Sequence, residues 1–213
     1  MSRGEKYNQA GLQSYQDWEL EKAVAAFKKA AAAEPDNAEY HLNLARALAR
    51  SSNFHEAIQA LGEYLRTETD PTLSSRYERL FSSALDEVES ALIEGMRQLG
   101  LSIQYTGKAI QMWLEYRITI GRRPLRVTKP ELWSAALAYT IVKVNFVQIK
   151  LKTVAEVFNV SERSLKERFS ELVQTLDLMP ADYRYFVGDQ NPLDKLVEAA
   201  QIMEELDQRF MED

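Results

Sequence analysis

The chain contains only two histidines, and the spacing of its potentially reactive residues completes no catalytic or metal-binding motif. His55 and Glu56 begin a pattern typical of zinc-protease helices, but Gln59 stands where the second histidine ligand would be needed. The eight glycines form none of the loops that cradle phosphates, and there is no cysteine to act as a nucleophile. The many carboxylates fall mostly on the solvated faces of predicted helices. The sequence therefore predicts a protein that is not an enzyme and holds no metal or cofactor.

Lysine and arginine are concentrated in the middle of the chain. Residues 100–187 have 13 Lys and Arg against 8 Asp and Glu, whereas residues 1–99 and 188–213 are both net acidic. This asymmetry suits nucleic-acid binding, although the whole chain has a net charge of −6. The asymmetry would also be explained if the acidic C-terminal segment folded back over the basic one. The candidate nucleic-acid contacts are Arg122, Arg123, Arg126, Lys150, Lys152, Arg163, Lys166 and Arg168.

Residues 151–176 have the pattern of a helix-turn-helix. Asn159 tolerates the left-handed backbone of a tight turn, and Ser161 is a suitable N-cap for the second helix. That helix has an inward apolar stripe consisting of Leu165, Phe169, Leu172 and Leu176. Arg163 and Lys166 then lie on its outer face, where a recognition helix would meet a DNA groove. The same geometry is also an ordinary way to pack two helices, so both readings stay open.

The first third of the chain repeats itself with an offset of 34 residues, which pairs Ala23 with Ala57. This is the period of the tetratricopeptide repeat, a helical hairpin. In the first unit, residues 4–37, the family's signature positions hold Tyr7, Gly11, Ala23, Phe27, Ala30 and Pro35. The second unit, residues 38–71, keeps Leu44, Ala45, Phe54 and Ala57. Both units therefore resemble the tetratricopeptide repeat family.

The resemblance implies a concave face, formed by the first helix of each unit, that binds a peptide or a helix of a protein partner. The family's groove positions hold Asn8, Leu12, Tyr15, Leu42, Asn43, Arg46 and Arg50. Three repeats are usually needed to bury such a stack. A further helix must therefore cover the end of the second unit, where Tyr64 lies. The next helix in the chain is the candidate. A repeat array this short could instead serve as an intramolecular brace.

Longer amphipathic helices follow from about residue 72. Gly100 and Gly121 are placed to end two of them. Pro130 is placed to begin a third, which is apolar nearly all round and is therefore predicted to be central. These three helices and the two of the hairpin at residues 151–176 make five.

The five helices resemble the cyclin-type repeat of transcription factor IIB over residues 86–178. The resemblance rests chiefly on Pro130 with residues 134–139, and on residues 153–157 and 160–172. It implies that the last helix approaches DNA through Arg163, Lys166 and Arg168. Single cyclin-like domains also serve widely as protein-docking surfaces.

The predicted fold class is all-α, in three parts. Residues 1–71 form two tetratricopeptide-type hairpins, and residues 72–178 form a five-helix cyclin-like domain that ends in the helix-turn-helix. Residues 179–213 form a connector and a C-terminal helix, whose apolar stripe packs back on the chain or makes a homodimer. The N-terminus lacks the apolar core of a signal peptide, and no apolar run reaches membrane length. We therefore expect a cytoplasmic monomer or homodimer that does not contact membranes.

These patterns predict a non-enzymatic interaction protein. The repeats would dock a protein or peptide partner, and the cyclin-like domain would be a second docking surface that could also contact double-stranded DNA. The alternative is a DNA-binding transcription regulator that uses the helix-turn-helix of residues 151–176.

Overall fold

The computed structural model describes residues 1–78, 86–121, 123 and 125–188. Within these residues the fold is all-helical, as predicted, and contains no strand. The described helices are α1 (Arg3–Gln16), α2 (Leu20–Ala33), α3 (Ala38–Arg50), α4 (Phe54–Thr67), α5 (Pro71–Glu78), α6 (Glu87–Gln98), α7 (Ile103–Thr119), α8 (Pro130–Val144), α9 (Leu151–Val157) and α10 (Glu162–Leu176). The predicted C-terminal helix lies outside the described residues.

Packing divides the chain into two compact units. The first contains the described residues of 1–85 and 113–126, and the second contains those of 86–112 and 127–213. The predicted domain boundaries place residues 113–126 with the later helices, whereas in the structure they pack with the repeats.

Side-chain caps determine where several helices of the first unit begin. Ser2 accepts a hydrogen bond from the backbone N–H of Glu5, and the Glu5 carboxylate accepts one from the Ser2 N–H, which makes a reciprocal capping box for α1. Asn37 caps α3 and Asn53 caps α4. Each of these side chains accepts a hydrogen bond from a backbone N–H of the first turn of its helix. The two hairpins therefore begin their helices at positions that the local sequence specifies.

Small residues allow the paired helices of each hairpin to approach closely. Gly11 of α1 lies so near Phe27 of α2 that an added Cβ would stand 2.6 Å from the ring. Ala23, Ala45 and Ala57 are fully buried in the same unit. The 34-residue period therefore places its small side chains where helices pack together, as the sequence predicts.

The end of α7 contributes to the core of the repeats. Ile118 is fully buried in one apolar cluster with Leu61 and Tyr64, and Leu114 packs against that cluster. Residues 71–75 of α5 are exposed or half-buried, and the side chains that follow them, up to residue 85, lie outside the described residues. The expectation that the next helix covers Tyr64 therefore stays a prediction.

In the second unit, α8 is the central helix that the sequence predicts. It packs against α6, α9 and α10, and residues 133–138 are all buried. Gly95 of α6 lies directly against Phe158, so that an added Cβ would overlap the ring. Gly100, with a φ of +72°, follows α6 where the pattern predicts its end.

The predicted connector after α10 is packed into the second unit as far as it is described. Tyr185 and Phe186 are buried. The Asn145 side chain donates from Nδ2 to the carbonyl of Tyr185 at 3.1 Å and accepts from the Val187 N–H at 2.6 Å. These bonds tie residues 185–187 to the end of α8.

A buried ion pair holds the same segment to the end of α10. Asp182 and Arg184 are each about 1% exposed. The Arg184 guanidinium donates to the Asp182 carboxylate from Nε at 2.9 Å and from Nη2 at 2.8 Å. Nη2 also donates to the carbonyl of Leu176 at 3.0 Å, so the pair satisfies a carbonyl at the C-terminus of α10.

Candidate functional site

The first unit contains an open groove with a volume of about 1110 Å³. Its floor includes Leu42 of α3 and Ile120, which follows α7, and both are buried. The remaining lining residues come from the turn between α2 and α3, the first half of α3, the end of α4 and the segment after α7. They are Glu34, Pro35, Asp36, Asn37, Ala38, Glu39, Asn43, Arg46, Thr67, Glu68, Thr69 and Arg123.

Arg46 binds the C-terminal end of α7 within this groove. Its Nε and Nη2 donate to the carbonyl of Thr119 at 3.1 and 2.7 Å, and its Nη1 donates to Oδ1 of Asn43 at 3.2 Å. Asn43 in turn donates from Nδ2 to Oδ1 of Asn8 at 3.0 Å. A chain of polar contacts therefore runs from α1 through α3 to α7.

Gly121 makes the approach of Arg46 to α7 sterically feasible. Its φ of +56° lies in the left-handed region that ends helices, and an added Cβ would stand 2.5 Å from Nη2 of Arg46. The sequence predicts this glycine as a helix stop. Its second role, which is to leave room for the guanidinium, has no local signal.

Three of the seven predicted groove residues line the groove, namely Leu42, Asn43 and Arg46. Asn8 and Arg50 are buried inside the unit. The Arg50 guanidinium stacks over the rings of Trp18 at 3.9 Å and Tyr15 at 4.7 Å. Leu12 is 36% exposed and, like Tyr15, is not part of the lining. The binding role of the seven residues stays a prediction.

A comparison with known families agrees with the helical hairpins and with the small residues where their helices cross. Residues 16–80 match the tetratricopeptide repeat family model. The match includes α2, α3, α4 and α5. It does not extend to residues 86–178, whose resemblance to transcription factor IIB stays a prediction. No curated protein and no solved structure matches the chain.

The charged rim of this groove is the feature that the sequence analysis missed. Four carboxylates line it, those of Glu34, Asp36, Glu39 and Glu68. Burial, and after it the negative charge of Glu34, raises the pKa of the neighbouring Tyr40 phenol. The available signal was three acidic residues at positions 34, 36 and 39. The first two lie between α2 and α3 and the third in the first turn of α3, and none is at a position that the family pattern marks.

A second cavity of about 710 Å³ lies between α2, α3 and α4 of the same unit. Its rim has ion pairs between Lys28 and Glu56 at 2.7 Å and between Arg66 and Glu63 at 2.9 Å. Hydrogen bonds from Lys28 and Asn53 lower the pKa of the Glu56 carboxyl, and a hydrogen bond from Arg66 lowers that of Glu63. The charges around this cavity therefore compensate one another within the protein.

Two helices lie in the stretch of residues 151–176 for which the sequence predicts a helix-turn-helix. Helices α9 and α10 are joined by a turn in which Asn159 has a φ of +51°. Ser161 caps α10 by accepting from the Ser164 N–H at 3.1 Å. Leu165, Leu172 and Leu176 are buried, and Phe169 meets Tyr139 edge to face at 5.1 Å. These observations establish two packed helices, and they do not test contact with DNA.

Three of the candidate DNA-binding cations are paired with acidic residues of their own helix. Arg163 pairs with Glu167 at 3.0 Å and Lys152 with Glu156 at 3.8 Å. Arg168 pairs with Glu171. Arg168 also stacks over the Trp133 ring at 4.3 Å, so its guanidinium is directed at the protein.

The remaining candidates differ in location. Lys150 and Lys166 are exposed and form no ion pair with a residue that the structure describes. Arg123 and Arg126 are exposed and belong to the first unit, and Arg122 lies outside the described residues. The DNA-contacting role of the whole set stays a prediction.

Among the described residues, no group of His, Cys, Asp and Glu side chains is arranged to hold a metal ion.

No helix in the described part of the chain has the length and apolar character needed to cross a membrane.

Proposed function

We propose that this chain is a non-enzymatic interaction protein whose tetratricopeptide repeats dock a protein or peptide partner in the groove of the first unit. The observation that carries the proposal is an open groove whose lining comes mostly from the stretch that matches this family. Tetratricopeptide repeats generally mediate contacts between proteins. Exposed Pro35 and half-buried Ala38 of the lining offer apolar surface to a partner, and the charged rim offers selectivity.

The second unit is proposed as a further docking surface, cyclin-like in fold, that could also contact double-stranded DNA. The chain would act in the cytoplasm as a monomer or homodimer. The support is the packing of α6, α9 and α10 against a central α8, together with the basic balance of residues 100–187.

Site-specific cross-linking tests the docking groove. The chain has no cysteine, so Thr69→Cys gives a single attachment point for a photo-cross-linker, on an exposed residue of the groove lining. We expect this variant to capture a protein partner, identified by mass spectrometry. The matched control is Lys22→Cys, on an exposed position of α2 that does not line the groove. Equal capture from both positions would mean that partners do not dock in this groove.

The second candidate function is a DNA-binding regulator that reads DNA through α10. It is favoured by the hairpin of α9 and α10, which has a left-handed turn residue and a capped second helix. It is also favoured by two exposed lysines, Lys150 directly before α9 and Lys166 within α10. A helix presented in this way is how helix-turn-helix proteins enter the major groove. The acidic residues that pair with Arg163 and Lys152 reduce the positive charge available for phosphate contacts.

Charge reversal on α10 tests this candidate. We expect the double variant Arg163→Glu, Lys166→Glu to abolish binding to a labelled duplex, measured by fluorescence anisotropy across salt concentrations. Non-specific binding would have a Kd of about 10⁻⁴–10⁻⁶ M and would weaken steeply with salt. Both positions are exposed, so the fold should be unaffected. The double variant Arg97→Glu, Lys143→Glu makes the same charge change elsewhere in the second unit. Equal affinity for DNA in the two double variants would refute a recognition role for α10.

A further inference from the structure

We infer that the groove of the first unit selects a positively charged segment of its partner, one in which lysine or arginine accompanies apolar residues. The inference rests on the proposed docking function and adds the chemistry of the occupant.

The charges that line the groove favour a cation. The described lining residues include four carboxylates and two cations, Arg46 and Arg123. Of the carboxylates, Asp36 has an ion pair with Arg66 at 3.7 Å. Glu34 and Glu39 form no ion pair with any described residue and lie on either side of the turn that leads into α3. A concave surface with this balance concentrates positive charge from solution.

Arg46 is not available to bind a carboxylate in the usual way. A guanidinium recognises a carboxylate through two parallel N–H donors. The Nε and Nη2 edge of Arg46 already donates to the Thr119 carbonyl, and Gly121 lies directly against Nη2. Nη1 is bonded to Asn43. The groove position that could have captured an acidic or C-terminal group is therefore occupied by the chain itself.

The apolar part of the groove lining suits the stem of a basic side chain. Exposed Pro35 and half-buried Ala38 supply apolar surface between the carboxylates of Glu34, Asp36 and Glu39. Lysine and arginine place their methylene stems on apolar surface while keeping the charged head near water or an acidic partner. A glutamate side chain has a shorter stem and would bring its charge toward the rim carboxylates.

The second cavity of the same unit provides an internal contrast. Lys28 is paired with Glu56, and Arg66 with Glu63, so the rim charges of that cavity neutralise one another. Glu34 and Glu39, which form no ion pair with a described residue, distinguish the first groove as the charged one.

Three short blocked peptides, titrated against the full chain by isothermal calorimetry, test the inference. In the first, lysine alternates with leucine and serine. In the second and third, glutamate or glutamine replaces each lysine. We expect the lysine peptide to bind most tightly and its affinity to fall as salt is raised, because the rim carboxylates are exposed or half-buried and so are screened by salt.

Two charge-neutralising variants locate the effect. The double variant Glu34→Gln, Glu39→Gln should weaken binding of the lysine peptide by about three- to tenfold, since each exposed charge pair contributes modestly. The control variant Glu21→Gln, Glu162→Gln removes two exposed carboxylates that do not line the groove and should leave the affinity unchanged.

Each other result overturns the inference. Tighter binding of the glutamate or glutamine peptide would leave docking in place and refute the preference for cations. Absence of binding by all three peptides would also refute it, and the Thr69 cross-linking result then decides separately whether the groove docks a partner. Equal weakening by the groove variant and the control variant would assign the effect to net charge and not to the groove.

Discussion

Replacing Asp182 by alanine is expected to lower the free energy of unfolding of the chain by about 3–5 kcal/mol, since it removes the carboxylate that is paired with the buried Arg184 guanidinium. Two donors of Arg184 meet the Asp182 carboxylate at 2.8 and 2.9 Å and would lose this partner. Nη2 would keep its bonds to the carbonyls of Leu176 and Asp177 at the end of α10. Urea unfolding followed by circular dichroism measures the change.

Two control variants separate the cost of breaking the buried ion pair from the cost of removing a carboxylate in general. Glu167→Ala breaks the exposed ion pair with Arg163 on α10 and should cost less than about 1 kcal/mol. The double variant Asp182→Ala, Arg184→Met removes both buried charges and should be more stable than Asp182→Ala alone. A cost for Asp182→Ala no larger than that of Glu167→Ala would mean that the pair does not anchor the segment after α10.

The sequence predicts well those features that depend on a few neighbouring residues. Asn159 in a left-handed turn, Ser161 as a cap and Gly100 after α6 were all expected from residue type and position, and all are found. Gly11 and Phe27 are both signature positions of the family that the first unit resembles, and the two lie in close contact.

Contacts between distant segments could not be predicted in this way. The Arg46 guanidinium and the Thr119 carbonyl are 73 residues apart, and no local pattern links them. Periodicity indicates that a helix has an apolar face, and it leaves open what covers that face. The Asp182–Arg184 pair was missed for a related reason: its composition resembles a solvated turn, and its burial depends on α8 and α10.

The candidate site shows the same division. The family pattern marks groove positions on the first helix of each unit, and three of them, Leu42, Asn43 and Arg46, line the groove. In the turn that contributes Glu34 and Asp36 it marks only Pro35, because turns vary between repeats while helix crossings are constrained by packing. The charge selectivity that we propose for this groove therefore depends on residues outside the repeat signature.

Replacing Ile118 by alanine is expected to destabilise the chain by about 2–5 kcal/mol, because a fully buried side chain of the repeat core is removed and a cavity is left. The size of the effect would establish that the end of α7 is part of the first unit. If the alanine variant does not fold, Ile118→Val should still show a loss of about 0.5–1.5 kcal/mol. Urea unfolding of the full chain measures both.

Ile103 provides the control on the same helix. It is 79% exposed in the first turn of α7. Ile103→Ala makes the same chemical change with a similar effect on helix propensity, so the difference between the two variants isolates the burial of Ile118. We expect Ile103→Ala to change the free energy of unfolding by less than about 0.5 kcal/mol. Equal losses in both variants would show that the end of α7 does not contribute to the repeat core.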